Sequence, residues 1–215
     1  AAAMALGTFL CPTLISEPAR GVTADPVPRR RFQFIETVAM FPMLILCLYA
    51  TSYGALVVYL PLYSPGRGMD NPGLFFIPFA LVAMSTRGLA GRASDRFGRS
   101  ATIVPGMLLA AAALVIHAQA NSLSMFITVA VVYGLAFSLI HPALMALLID
   151  RVRPEARGVT MATFTAGFDL GIGIGSFVAG WMLEIMNFPA MYRWMAVVPL
   201  MGMVIFILGR RLYWR

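Results

Sequence analysis

Long apolar stretches alternate with short polar connections along most of this 215-residue chain. A bilayer core of roughly 30 Å is crossed by about 20 apolar helical residues at a rise of 1.5 Å per residue. The pattern predicts six complete membrane-spanning helices, near residues 34–63, 72–92, 100–119, 122–149, 157–186 and 190–209. The uncharged run 100–149 would be about 75 Å long as one helix. It therefore has to turn, and the polar residues 119–122 supply the turn.

The first 33 residues do not fit this count. Residues 1–15 are apolar but too short to span, and they lack the basic start of a signal peptide, so we interpret them as the end of a truncated transmembrane helix. Residues 16–33 are polar and rich in proline, which predicts a cytoplasmic linker. The predicted six-helix transmembrane domain then covers residues 34–215.

The composition supports a membrane protein. Hydrophobic residues make up 60% of the chain and charged residues 12%, whereas soluble domains have about 45–50% and about 25%. These values exclude a soluble enzyme and predict an all-α integral membrane protein built as a six-transmembrane-helix bundle. The sequence contains no catalytic triad pattern, phosphate-binding loop or metal-ligand spacing, so we expect no enzyme activity, no cofactor and no metal.

The basic residues are all arginine, and the formal net charge is +7. They lie in short clusters between apolar stretches, which is typical of juxtamembrane anchors in contact with a lipid bilayer, so we expect no nucleic-acid partner. Fourteen of the 16 fall in alternate connections, and only Arg67 and Arg193 lie on the opposite side. By the positive-inside rule, this split predicts that both termini are cytoplasmic.

One short connection carries the most specific motif, which runs from Gly91 through Asp95, Arg96 and Gly98 to Arg99. We place this motif in the loop between the second and third predicted helices. Its glycines permit a tight turn and close helix approach. Its carboxylate can pair with arginine or face the positive end of a helix. The alternative interpretation is an ordinary basic anchoring loop.

This motif resembles the signature loop of the major facilitator superfamily, G-x-x-x-D-R-x-G-R, at every fixed position. Residues 150–158 are similar to that family's connection between its tenth and eleventh helices. Residues 168–173 are similar to the start of the eleventh helix in its sugar-efflux-like and drug-efflux-like members. The resemblance covers essentially the whole chain as the family's C-terminal six-helix half, and the family's first five helices are absent.

The resemblance implies a secondary transporter of small molecules that works by alternating access, as proton-coupled efflux or antiport in a bacterial inner (plasma) membrane. It implies a cytoplasmic gate in which Asp95, Arg96 and Arg99 cluster with Asp150 and Arg157. The missing partner would be an N-terminal six-helix half. The alternatives are a transporter-derived scaffold or accessory subunit of a larger membrane complex, and a homodimer of two such halves.

Asp169 lies 12 residues beyond Arg157, or about 18 Å along a helix, which places it near the bilayer centre. A carboxylate there costs on the order of 2.5–3.5 kcal/mol, so it should face a cavity or a partner. We expect either a proton or cationic-substrate site, or a fixed structural pair such as one with Arg87.

Further candidates lie on the apolar helices. His141 precedes a proline inside the fourth helix and is either a proton relay or a structural residue at a kink. Tyr49, Tyr53 and Tyr133 lie on helices that line the central cavity in the family, although tyrosine is also common packing material. His117 is expected at the outer membrane interface.

The glycines of the fifth helix are spaced for packing. Gly167, Gly171 and Gly175 follow one another at intervals of four residues. Such spacing is typical of close helix contact, and the strand that a dinucleotide-binding loop requires is missing.

Overall fold

The computed structural model describes residues 40–152 and 156–213, and every regular element within these ranges is a helix. The helices are α1 (Met40–Tyr63), α2 (Gly73–Phe97), α3 (Ser100–His117), α4 (Leu123–Ile149), α5 (Arg157–Ile185), α6 (Phe188–Met195) and α7 (Val197–Tyr213). The pair α6 and α7 forms one span, Phe188–Arg210, so six segments are long and apolar enough to cross a membrane. The predicted fold class is confirmed. The predictions for residues 1–15 and 16–33 lie outside the described residues.

Helix ends follow local chemistry. Ser122 caps α4 by accepting a hydrogen bond from the Met125 amide at 3.4 Å, within the polar turn expected there. Asn187 caps α6 in the same way, accepting from the Ala190 amide at 3.0 Å. These caps satisfy amide groups that have no partner inside the helix.

The end of α2 differs from the prediction. The helix continues to Phe97 instead of ending near residue 92, so Asp95 and Arg96 lie on its last turn. Only Gly98 and Arg99 separate α2 from α3. Charged residues do not stop a helix, because arginine is a good helix former. The stop comes from Gly98, whose φ of 88° is the left-handed conformation that glycine adopts without strain. The placement of the whole motif in a loop was therefore wrong.

The helices pack around two central members, α1 and α4, which also contact each other. Helix α1 packs along α5 and α7, while α4 packs along α2 and α3. Helices α3 and α7 are also in contact. As a result, α2 and α5 lie against the outside of the two central helices.

These two outer helices have the most exposed surface of the six spans. In the most apolar stretch of each span, 11% of α2 residues and 22% of α5 residues are buried, against 56% for α1. One face of each helix therefore has no neighbour among the described residues, and the candidate site lies on these faces.

Candidate functional site

Arg99 joins the ends of two helices by ion pairs. Its guanidinium donates to an Asp95 carboxylate oxygen at 2.5 Å and to an Asp150 carboxylate oxygen at 3.0 Å. It also donates to the Ser94 hydroxyl at 3.1 Å. Partial burial lowers the pKa of Arg99, but its hydrogen bonds to the two carboxylates outweigh this effect, so the pKa lies above its ordinary value. The guanidinium therefore stays charged and ties α2 to α4 at the start of α3.

Among the described residues, the other members of the predicted gate take no part in these ion pairs. Arg96 stacks over the Phe97 ring, with 5.4 Å between the guanidinium carbon and the ring centroid. Arg157 is exposed at the first position of α5. A Cβ added to Gly91 would meet no atom within 4 Å, so contacts among the described residues do not require glycine there.

Asp169 lies on the exposed face of α5. The surface beside it is formed by residues of the same helix: Ala166, Leu170, Gly173, Ile174 and Phe177. Among the described residues, the Asp169 carboxylate has neither an ion pair nor a hydrogen bond. The structural pair with Arg87 is not formed, and Arg87 is itself exposed on α2.

Aromatic rings fill the space where α1, α2, α4 and α5 meet. The Tyr53 ring centroid lies 6.1 Å from that of Phe79, 6.1 Å from that of Phe137 and 5.8 Å from that of Phe168. All four rings are partly exposed. They form an aromatic cluster that lies directly beside Asp169 in sequence, through Phe168.

His141 belongs to the same region. Its ring stacks on Phe137 at 5.3 Å between centroids and meets the Phe168 ring edge-on at 5.8 Å. It also lies close enough to Arg87 to interact electrostatically. Helix α4 continues unbroken through the adjacent Pro142. His141 therefore interacts with Arg87 and contacts Phe168, the residue before Asp169.

Two of the three candidate tyrosines are buried, although their rings contact the aromatic cluster. Tyr49 and Tyr133 are fully buried and stack on each other at 5.8 Å, and the Tyr133 hydroxyl shares a hydrogen bond of 2.9 Å with Ser52. Neither ring offers surface to a ligand, so the structure favours the packing interpretation for both. Hydropathy gave no indication of this, because a tyrosine has the same hydropathy on either face of a helix.

His117 is also buried, at the last position of α3. It is 0% exposed and is surrounded by Tyr63, Phe126 and Tyr192, with the Tyr192 ring centroid 4.4 Å away. The connections and α6 at that end of the bundle cover the terminus of α3. Distance from the helix end was therefore a poor guide to exposure.

Sequence reasoning missed a polar link beside Arg87. The Thr86 hydroxyl donates to the Ser138 hydroxyl at 2.8 Å and so joins α2 to α4. The positions of two hydroxyl residues on separate helices could not show this pairing in advance, because it depends on how the helices are rotated.

The glycines of α5 pack against α1. A Cβ on Gly171 would lie 2.5 Å from the Cys47 carbonyl oxygen, and one on Gly175 would overlap the Thr51 carbonyl. A Cβ on Gly167 would lie 2.5 Å from Cγ of Met43. The two helices are therefore in close contact over about two turns.

A model of the Major Facilitator Superfamily matches residues 73–214. The chain is 24% identical over 201 residues to the uncharacterized MFS-type transporter STM4428 of Salmonella typhimurium, covering 92% of this chain and 52% of that protein. It is 31% identical over 122 residues to multidrug resistance protein 2 of Bacillus subtilis, covering 55% of this chain and 30% of that protein.

Among solved structures, the chain resembles the POT family transporter PepTSo with a TM-score of 0.68 and 16% identity, covering 81% of this chain and 37% of that one. At this identity the likeness shows the fold alone. Some curated relatives match nearly all of this chain, and the chain spans about half of their length. For YhhS of Salmonella enteritidis, the match covers 95% of this chain and 50% of that protein.

Proposed function

Because this chain belongs to the major facilitator superfamily, a class of membrane transporters, we propose that it forms one wall of a secondary transporter that moves small molecules by alternating access. We propose further that it works by proton-coupled efflux in a bacterial inner membrane, with both termini cytoplasmic. A second six-helix unit would face the open sides of α2 and α5 and complete the path.

The observation that carries this proposal is the unpaired carboxylate of Asp169 on an open face of α5. A charge at mid-membrane depth costs on the order of 2.5–3.5 kcal/mol, so a purely structural role would require a partner. Among the described residues it has none, and a carboxylate that can exchange a proton or bind a cation accounts for its position. His141 would relay protons on the other side of Phe168.

The Arg99 cluster supports a gate at the cytoplasmic end. One guanidinium holds the ends of α2 and α4 through two carboxylates that are 69% and 54% exposed. Exposed ion pairs are worth only about 0.2–1 kcal/mol each. Such a cluster can therefore form and break within a transport cycle. Efflux as the direction is supported by the relatives named as multidrug resistance proteins.

The test compares Asp169→Asn and Asp169→Glu with the unchanged chain in everted membrane vesicles. Ethidium serves as the probe because a carboxylate site in a low-dielectric setting favours a cation. We expect Asp169→Asn to abolish proton-coupled ethidium transport and Asp169→Glu to retain part of it. Glu184→Gln is the matched control, since Glu184 is exposed near the outer end of the same helix. Loss of folded protein without a specific loss of transport would contradict the proposal.

The proposed second half is tested by the intact mass of the native polypeptide, compared with the 23.3 kDa of this sequence. A mass near twice this value supports a two-half transporter. A mass close to 23.3 kDa would favour the alternatives, a scaffold subunit or a homodimer, and cross-linking from single cysteines on α2 and α5 would then identify the partner.

A further inference from the structure

Two opposite charges stand on the two outer helices at matching depth. Arg87 lies ten residues before the end of α2, and Asp169 lies 12 residues after the start of α5, which correspond to about 15 Å and about 18 Å from the same end of the bundle. Both side chains are exposed, and neither forms an ion pair within residues 40–152 and 156–213. A low-dielectric location makes two unpaired charges costly unless each is matched by an opposite charge.

The surface between these charges is aromatic. His141 lies within electrostatic range of Arg87, and its ring packs against Phe168, the neighbour of Asp169. The Tyr53 and Phe137 rings continue the same surface, with centroids 5.8 Å and 6.3 Å from that of Phe168. A bound molecule that reached both charges would therefore lie across aromatic rings.

We propose that the substrate of this site is a zwitterion in which an aromatic or other apolar portion separates an ammonium group from a carboxylate. The ammonium group would pair with Asp169, the carboxylate would accept a bidentate hydrogen bond from the Arg87 guanidinium, and the apolar portion would lie on the aromatic cluster. This inference rests on the proposed transport function and specifies its substrate class. Arg87 is the residue that distinguishes a zwitterion from a simple cation.

The Thr86–Ser138 hydrogen bond supports this role for Arg87. The bond holds the residue before Arg87 against α4, so the rotation of α2 is fixed at the depth of the site. Arg87 therefore follows directly after a residue that is fixed against α4.

The test uses the full-length protein in lipid nanodiscs and three matched probes. These probes are 4-(aminomethyl)phenylacetic acid, its methyl ester, which is only a cation, and its N-acetyl derivative, which is only an anion. Calorimetric titration should show the zwitterion binding about tenfold or more tightly than either of the other two probes, since it alone can pair with both charges. Arg87→Gln should weaken binding of the zwitterion and the anion about tenfold and leave binding of the cation unchanged. Asp169→Asn should weaken binding of the zwitterion and the cation about tenfold and leave binding of the anion unchanged.

Matched controls are Arg92→Gln on α2 and Glu184→Gln on α5, both exposed charges away from the aromatic cluster, and both should leave all three affinities unchanged. Arg87→Lys and Asp169→Glu keep the charges and should retain measurable preference for the zwitterion if the glutamine or asparagine variants fold poorly. Equal affinity for the zwitterion and the methyl ester, indifference to Arg87→Gln, or binding of none of the probes would overturn the inference. Transport of ethidium that depends on Asp169, together with no binding of the zwitterion, would reject the zwitterion while leaving the proposed function intact.

Discussion

The two faces of α5 use small residues for different purposes. On one face, Gly171 and Gly175 touch the backbone of α1, and the absence of side chains lets two helices meet. On the other face, a Cβ added to Gly173 would meet no atom within 4 Å, and Asp169 lies one turn away without a partner. Glycine therefore allows close helix contact on one face of α5 and leaves the other face open.

This difference separates the residues that stabilise the six-helix unit from those that are proposed to bind substrate. Gly171 and Gly175 pack against described residues of α1, so their role is structural. Gly173 lies beside the unpaired carboxylate of Asp169 and leaves room for a substrate or for a second six-helix unit. Substitutions on the first face should act on stability, and those on the second should act on binding and transport.

The largest effect is expected on the face of α5 that packs against α1. Gly175→Ala places a methyl group against the Thr51 carbonyl, which is backbone and cannot rotate away, so we expect a loss of about 3 kcal/mol in unfolding free energy. The matched control is Gly173→Ala, which should stay within about 0.5 kcal/mol of the unchanged protein. Thermal unfolding in detergent measures both, and equal melting temperatures would remove the distinction between the two faces.

The open face should show the opposite behaviour. Gly173→Phe places a ring on the open face beside Asp169, where a Cβ meets no atom within 4 Å. We therefore expect at least a tenfold loss of substrate binding with no loss of thermal stability. Leu108→Phe, on the exposed side of α3, is the control of similar size and should change neither quantity. A drop in stability for Gly173→Phe alone would show that this face is packed after all.

A smaller effect on stability is expected at the Arg99 cluster. Because the two carboxylates are mostly exposed, Asp95→Asn or Arg99→Gln should cost about 1 kcal/mol or less. The conformational effect should be clearer, because loss of the bridge between α2 and α4 weakens the state closed to the cytoplasm. Labelling of a cysteine at Gly88 from the cytoplasmic side, with Cys11 and Cys47 replaced by serine, should become faster. An unchanged labelling rate in both variants would contradict the gate.

The smallest effect is expected at the link beside Arg87. Thr86→Val removes the hydrogen bond to Ser138, and such bonds within membranes average about 0.6 kcal/mol. Thr128→Val is the control, because its hydroxyl bonds only to the Ser124 carbonyl of its own helix. If Thr86→Val and Thr128→Val melt at the same temperature within error and the zwitterion affinity is unchanged, Thr86 does not position Arg87.

Much of the architecture was predictable because a membrane imposes simple requirements. Apolar length alone located the six spans, and the residue types at 91–99 identified the family, which is confirmed by the match to residues 73–214. The end of α2 was misplaced because a charged segment resembles a loop in hydropathy, whereas only Gly98 stops the helix.

The candidate site was less predictable for a rotational reason. Sequence spacing predicts how far along a helix a residue lies, and this was enough to place Asp169 and Arg87 along their spans. Which side of a helix faces a neighbour depends on packing, so spacing alone could not show that Tyr133 and His117 are buried. The aromatic cluster joins four helices, and no local pattern could indicate that contact.

The measurement that tests the account most directly is water access to the open face of α5. A cysteine at Gly173, in a chain whose Cys11 and Cys47 are replaced by serine, is treated in native membranes with a membrane-impermeant maleimide, beside a control cysteine at Leu108 on α3. The account predicts that the Gly173 position reacts from the aqueous phase and that the Leu108 position does not. If neither position reacts with the maleimide and both react with a lipid-soluble reagent, the face lies in lipid, and its assignment as the wall of a transport path is wrong.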